Sequence, residues 1–382
     1  MIPLSTPHLA GNEWKYLKEC LDTQWVSSVG PFVDRFEKEV AQYTGAAHAV
    51  AVVNGTAALH TALKVVGVQP EDEVLVSDLT FIAPVNAILY CNAHPVFMDA
   101  DKRWQMDPEK VESFLDTECE IGDDGLCRNK TSRRIVRAIV PVHILGFAAE
   151  IDKLVDIARR FNLKVVEDAA EGMGVRFKGQ HVGTFGDIGI FSFNGNKIIT
   201  CGGGGMMVTH NASYAERARY LTTQAKDDPV EFYHKEMGYN YRLTNVQAAL
   251  GVAQLEQLDG FIQTKRRIAE NYHQALKDTA ILATPVVPGD TDPTYWMYVV
   301  LLDPEKSGCG RRDIVNKLID RGVQVRPFWQ PAHSLPYLGK YRAYRIERAT
   351  RLYDRGICLP GSVHLSREDQ NRVCRILKDS IL

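Results

Sequence analysis

Two spacings of hydrophobic positions alternate along the chain. Val33, Phe36, Val40 and Tyr43 recur at helical intervals, as do Trp14, Leu17 and Leu21, with Lys18, in a segment that Gly11 or Asn12 would open. Short apolar runs rich in β-branched residues then take over: AVAVVNG, EVLVSDLTF, HPVFMDAD, RIVRAIVPVHILG, LKVVEDAAEG and IGIFSF. Between them lie helical patterns at Ala58, Leu59, Ala62, Leu63 and Val66, from Ala83 to Cys91, from the Asp107-Pro108-Glu109 start, and from Ile151 to Phe161. Strands and helices taking turns in this way predict a mostly parallel sheet with helices on both faces, and ligands at the carboxyl ends of its strands. Residues 117–134 are polar and turn-rich and read as an exposed excursion. After Tyr241 a helical pattern (Val246, Ala249, Leu250, Ala253, Leu258) runs into Ile262 to Leu276, with an interruption expected near Asp259-Gly260. The proline-rich ATPVVPGDTDPT (283–294) breaks it. A strand in YWMYVVLLDP, a helix from Arg311 to Arg321, a strand in VQVRPFW and a helix from Arg367 to about Asp379 follow. The division predicted is a large α/β domain over 1–250 and a small α+β domain over 251–382.

Composition narrows the setting. The 382 residues are 45% hydrophobic and 24% charged, with a net charge of −2, which is the balance of an ordinary globular protein and argues against nucleic acid or a membrane as the main partner. No stretch of about 18 apolar residues exists, and MIPLSTPHLAGNEW lacks a basic segment before an apolar core, so neither a spanning helix nor a signal peptide is expected, and the expected location is cytoplasmic. Eight scattered cysteines without a Cys-x-x-Cys pair fit free thiols better than disulfides or zinc, and no metal site is expected. Cys201 reads either as a reactive thiol or as a small packing residue.

The chemistry centres on FSFNGNKIITCGGGGMM. Lys197 follows an apolar strand (Ile188, Ile190, Phe191, Phe193) that Asn194, Gly195 and Asn196 end. An amine inside an apolar site is costly to keep charged and becomes nucleophilic toward a carbonyl. A surface lysine beside glycines is the other reading, and the neighbours decide between them. Gly202 to Gly205 let backbone approach a cofactor or another chain. Asn54-Gly55-Thr56, between a strand and a helix, points the amides of Gly55, Thr56 and Ala57 at a phosphate. Phe81, His143 and Asp168, with Glu171 just beyond, fall at other strand ends. A phosphate cradle, an aromatic ring, a buried carboxylate and a lysine are the groups pyridoxal phosphate needs. Asp168 alone would read equally well as a capping carboxylate, and His143 as a satisfied structural histidine. Arg326, Trp329 and His333 share a loop and serve either as substrate contacts or as packing.

GPFVDRFE, NGTAAL, DLTFIAPVNAI, PVFMDAD, PVHILG, VVEDAAEG, FSFNGNKIITCGGGGMM, GYNYRLTNVQAAL and RPFWQPAH together span nearly the whole chain. In these segments the sequence resembles the DegT/DnrJ/EryC1/StrS sugar aminotransferases, fold-type I pyridoxal phosphate enzymes with a large, mostly parallel seven-stranded sheet. The resemblance implies that Lys197 bonds the cofactor, Asp168 pairs with its pyridine nitrogen, and Glu171 lies on its ring-hydroxyl side. Thr56, Ala57 and Ser192 would hold the phosphate, with Gly55 and Asn194 beside them, and Phe81 would stack on the ring. Asn240 would reach the phosphate in a neighbouring subunit, which implies a homodimer with shared sites. The implied reaction moves an amino group from L-glutamate to the C4 keto group of a nucleotide-linked 4-keto-6-deoxyhexose. EDAAEG, NGNK and the four glycines look like the subgroup serving legionaminic and related nonulosonic acids. Many relatives carry glutamine where this chain has Glu171, and an acidic residue within the glycine run. Relatives that are dehydratases have histidine in place of the lysine, so Lys197 argues against that chemistry. A lyase on the same cofactor and a non-catalytic regulator on the same scaffold are the alternatives.

Overall fold

The computed structural model describes residues 1–228, 230–279, 287–303, 305–307 and 309–381, and the backbone of 282–283. The first part of the chain forms α1 (Glu13–Asp22), α2 (Pro31–Thr44), β1 (His48–Val52), α3 (Gly55–Val65), β2 (Glu73–Ser77), α4 (Ala83–Tyr90), β3 (His94–Met98) and α5 (Pro108–Glu118). A hairpin of β4 (Cys119–Ile121) and β5 (Cys127–Asn129) leads to β6 (Val136–Val140), α6 (Ile151–Arg160) and β7 (Lys164–Asp168). Two short strands, β8 (Arg176–Phe177) and β9 (Gln180–His181), precede β10 (Ile188–Ser192), β11 (Gly205–Thr209) and α7 (Ala212–Thr222). The remainder comprises α8 (Asn245–Leu255), α9 (Leu258–Leu276), β12 (Leu282–Ala283), β13 (Thr291–Asp292), β14 (Tyr298–Leu302) and α10 (Arg311–Asp320). It closes with β15 (Arg326–Pro327), β16 (Ala343–Tyr344), α11 (Arg348–Arg355), β17 (Gly356–Leu359) and α12 (Arg367–Ile381).

The main sheet runs in the order β1-β11-β10-β7-β6-β2-β3-β16. Only β11 runs antiparallel to its neighbours; every other pairing is parallel. The strands are buried on both faces, as crossover helices require, and so read as continuous apolar runs. The sheet has eight strands where seven were expected, because Ala343 and Tyr344, far along the chain, pair with Phe97 and Met98. A second sheet, β12-β14-β17-β15, forms the smaller layer with α10 and α12. Its core joins Ile2 to residues between Ile268 and Ile381, whereas Leu258, Phe261 and Ile262 of α9 belong to the main core. The changeover therefore runs through α9 rather than at residue 250, and α8 packs against α1 and α2.

Other expectations needed correction. Trp14 and Leu21 do not face the core: α1 buries Glu13, Tyr16 and Cys20, and Trp14 is 81% exposed. Polar partners make this possible, since Glu13 accepts from Gln254 Nε2 at 2.6 Å and Tyr16 donates to Glu256 at 2.7 Å. The helix interruption lies at 256–257, and Gly260 is inside α9. The excursion at 117–134 is a hairpin that buries Cys119, Cys127 and Asn129, the last donating to Glu73 at 2.9 Å. Residues 284–286 of the proline-rich break lie outside the described residues.

Candidate active site

At the carboxyl ends of β2, β7 and β10 a cavity of about 470 Å³ opens, walled on its far side by the smaller layer. Gly55, Thr56, Phe81, Asp168, Glu171, Ser192, Asn194, Lys197, Arg326 and Trp329 all line it, although they come from segments up to 274 residues apart, Gly55 and Trp329 being the extremes. One wall is the start of α3. Asn54 caps that helix by accepting the Ala57 amide at 2.8 Å, so this amide is committed and Ala57 stands behind the wall. Gly55 must lack a side chain, since a Cβ there would come within 2.9 Å of Ser192 Cβ. The glycine run serves the same turn: a Cβ on Gly205 would meet the Asn54 carbonyl carbon and oxygen at 2.6 Å. The close approach there is to the chain's own backbone.

The floor is set by β7, whose last two residues lie on opposite faces of the sheet. Asp168 is buried and accepts a single hydrogen bond, from the Ala170 amide at 3.0 Å on Oδ1; among the described residues Oδ2 has no partner. Burial raises its pKa, against the Ala170 amide and the charges of Lys197 and His143. Glu171 is shifted up by burial as well, against Lys197 and the Leu145 amide, which donates at 2.8 Å. Lys197 Nζ lies 3.3 Å from Glu171 Oε1 and 4.4 Å from the centre of the Trp296 ring. Leu145, at φ 62°, and Gly146, at φ 82°, form the tight loop that delivers the amide to Glu171. A Cβ on Gly146 would stand 2.6 Å from the backbone nitrogen of Trp296, so the loop's tightness also seats that residue's backbone.

Of the expected site residues, Asn240 and His333, like Ala57, are not part of this wall. Asn240 is exposed, and its sequence neighbours Tyr239 and Tyr241 stack their rings at 4.9 Å. His333 gives its backbone amide and Nδ1 to the two oxygens of buried Asp78, both at 2.8 Å. His143 is fully buried and bonded through Nε2 to Glu167 at 2.9 Å, the structural role. Cys201 is buried with its thiol pushed up, as suits a packing residue. The sequence reasoning missed Trp296 and Thr80. Thr80 lines the cavity with a buried hydroxyl that has no partner among the described residues. Its place next to Phe81 was the available signal.

Anionic floor, lysine amine and helix start converge on one cavity with unpaired acceptor and donor groups, and so fit pyridoxal phosphate. Among the described residues no three His, Cys, Asp or Glu side chains group to hold a metal, and no helix is long and apolar enough to cross a membrane. Fold and cavity together define the fold-type I class of pyridoxal phosphate-dependent transferases. Comparison with known proteins supplies the family: the profile of the DegT/DnrJ/EryC1/StrS aminotransferase family matches residues 7–378, and the chain belongs to that family. It is 39% identical to GDP-perosamine synthase of Escherichia coli O157:H7, over 99% of this chain and 98% of that protein. It is 37% identical to a Bacillus subtilis (strain 168) protein provisionally named pyridoxal phosphate-dependent aminotransferase EpsN, over 98% and 95% of the two chains. Among solved structures, the aminotransferase TlmJ from Streptoalloteichus hindustanus superposes with a TM-score of 0.89 at 28% identity, over 100% of this chain and 98% of that one.

Proposed function

We propose that this aminotransferase carries an amino group from L-glutamate to the C4 keto group of a nucleotide-linked 4-keto-6-deoxyhexose, in the cytoplasm, for bacterial surface-sugar synthesis. The carrying observation is that Lys197, Asp168 and Glu171 line one cavity of about 470 Å³ together with Arg326 and Trp329. Pyridoxal phosphate, when bound, supplies the electron sink that stabilises negative charge at the reacting carbon. The chain's own groups do the rest. Lys197 Nζ would move the proton between the nitrogen-bearing carbon of whichever substrate is bound and the cofactor carbon beside it, once in each half of the reaction, with Glu171 Oε1 at 3.3 Å as its partner. Asp168, short of hydrogen bonds, holds a proton-bearing nitrogen at the floor. Gly55, Thr56 and Ser192, with Asn194, bind the phosphate at the start of α3, and Phe81 covers the ring. Arg326 and Trp329, which line the cavity, face the incoming sugar nucleotide. The names of the curated relatives favour a GDP-linked sugar as the first acceptor to try, ahead of a legionaminic-type precursor.

The same reading makes the protein a homodimer in which Asn240 serves the partner's site. Leu9, Trp14, Leu21, Trp25 and Val29, within the first 30 residues, are exposed, as are Val230, Phe232 and Met237, within ten positions of Asn240 in the sequence, and a second copy of the chain could cover such side chains. Mixing Lys197→Ala and Asn240→Ala chains should then restore activity that neither has alone. The decisive experiment supplies glutamate and GDP- or UDP-linked 4-keto-6-deoxyhexoses and measures products. The expected outcome is amino sugar and 2-oxoglutarate in equal amounts, with none from Lys197→Arg. Ammonia without 2-oxoglutarate would favour a lyase instead.

A further inference from the structure

We propose that Trp296 is a working part of the site: its indole face is the rest on which the Lys197 amine lies whenever that amine is not bonded to cofactor. The proposal rests on the aminotransferase reading above, in which the amine is released and must stay aimed. Lys197 Nζ stands 4.4 Å from the ring centre, inside the range in which an ammonium is attracted to an indole face. The amine's one hydrogen bond among the described residues is the long one to Glu171, 3.3 Å, so the ring supplies the second point that fixes its direction.

Trp296 is itself held as a fixed surface rather than as loose packing. It is 3% exposed. Its Nε1 donates to the carbonyl of Asn196, the residue before the lysine, at 2.8 Å, so ring and lysine backbone move together. Its own carbonyl accepts from Lys265 Nζ at 2.8 Å, and that buried ammonium also donates to the Gly361 carbonyl. Burial alone moves Lys265 down to about 7, and among the described residues its partners are these two carbonyls, which makes it a clamp on the Trp296 backbone. On the cavity side Trp329 lies parallel to Trp296, at 4° and 6.3 Å between ring centres. The proposed sugar-facing residue and the lysine rest thus form one aromatic stack. Packing alone would require none of the indole bond, the parallel stack or the approach to Nζ.

The test uses the cofactor-free full-length protein and a limiting amine-acylating reagent, with labelling of Lys197 followed by mass spectrometry and a distant surface lysine, Lys340, as reference. Trp296→Phe keeps a ring face and should label within about twofold of wild type. Trp296→Met keeps similar volume without a ring and should label roughly 3- to 10-fold faster, the range that loss of a partly desolvated cation–ring contact gives. In the cofactor-loaded protein, Trp296→Met should slow the glutamate half-reaction at least as much, while Trp296→Phe stays close to wild type. Melting curves establish that each variant is folded; if Trp296→Met is not, Trp296→Leu and Trp296→Tyr give the same contrast. Equal Lys197 labelling in all folded variants would overturn the proposal. That result is separable from failure of the aminotransferase reading, which would show as no transamination by the wild type.

Discussion

Glu167 and Asp168 are consecutive on one strand, both buried, and their surroundings are opposite. Glu167 accepts from His143 Nε2 at 2.9 Å and from the amides of Gly183, Phe185 and Gly186 at 2.8, 2.7 and 2.7 Å. Burial would raise its pKa, but His143 and these amides outweigh that and hold it below the ordinary carboxylate value. Asp168 has one amide, and burial wins. A carboxylate whose lone pairs are saturated by the protein is part of the framework. One left short, at the floor of a cavity beside a lysine, has capacity reserved for something that binds there.

The sharpest way to break the comparison is to neutralise each in turn. Asp168→Asn should lower transamination on the order of a hundred- to a thousandfold while leaving the melting temperature of the cofactor-free protein unchanged or higher. Glu167→Gln should do the reverse, destabilising by about 3 kcal/mol because His143 and three amides lose their charged partner, with kcat per folded molecule nearly kept. Calorimetry and initial rates on the two variants decide it; a Glu167→Gln protein as stable as wild type would undo the contrast.

Acid titration sharpens it further. Glu167 is depressed, so the stability it contributes is present above its unfolded value and is lost as pH falls through its folded value. Asp168 and Glu171 are raised, so their cost to the cofactor-free protein appears as pH rises from the ordinary carboxylate value through the raised one. Cofactor-free Asp168→Asn should therefore gain stability over wild type above that window and none below it. Denaturation midpoints across the acid range test the sign.

Smaller effects come from the α3 end. Gly55→Ala puts a Cβ 2.9 Å from Ser192 Cβ and should weaken cofactor binding about tenfold, read by spectroscopic titration. Asn54→Ala removes the cap on the Ala57 amide and should cost about 1 kcal/mol.

Much of this was legible in the sequence because a parallel sheet buries its strands on both faces. Apolar runs such as KVVED and IGIFS mark them, and turn residues such as Asn54 and Asn194 mark where they open into the site. The failures share a cause. Trp14 and Leu21 are apolar, which says that a residue is to be covered but not by what, and here the chain itself leaves them bare while burying Glu13. The run around Trp296 is apolar and reads as strand; its indole bond to Asn196 and its place under Lys197 come from contacts 100 and 99 residues away. His333 shows a third case, since no local pattern pairs it with Asp78, 255 residues earlier.

The most direct measurement of the central claim is the visible absorbance of the purified protein with pyridoxal phosphate, before and after L-glutamate. The account predicts a yellow band from the lysine-bound cofactor that glutamate bleaches to the amino form, and no such band in Lys197→Arg. A wild-type protein that shows no band, or a band that Lys197→Arg retains, would contradict it.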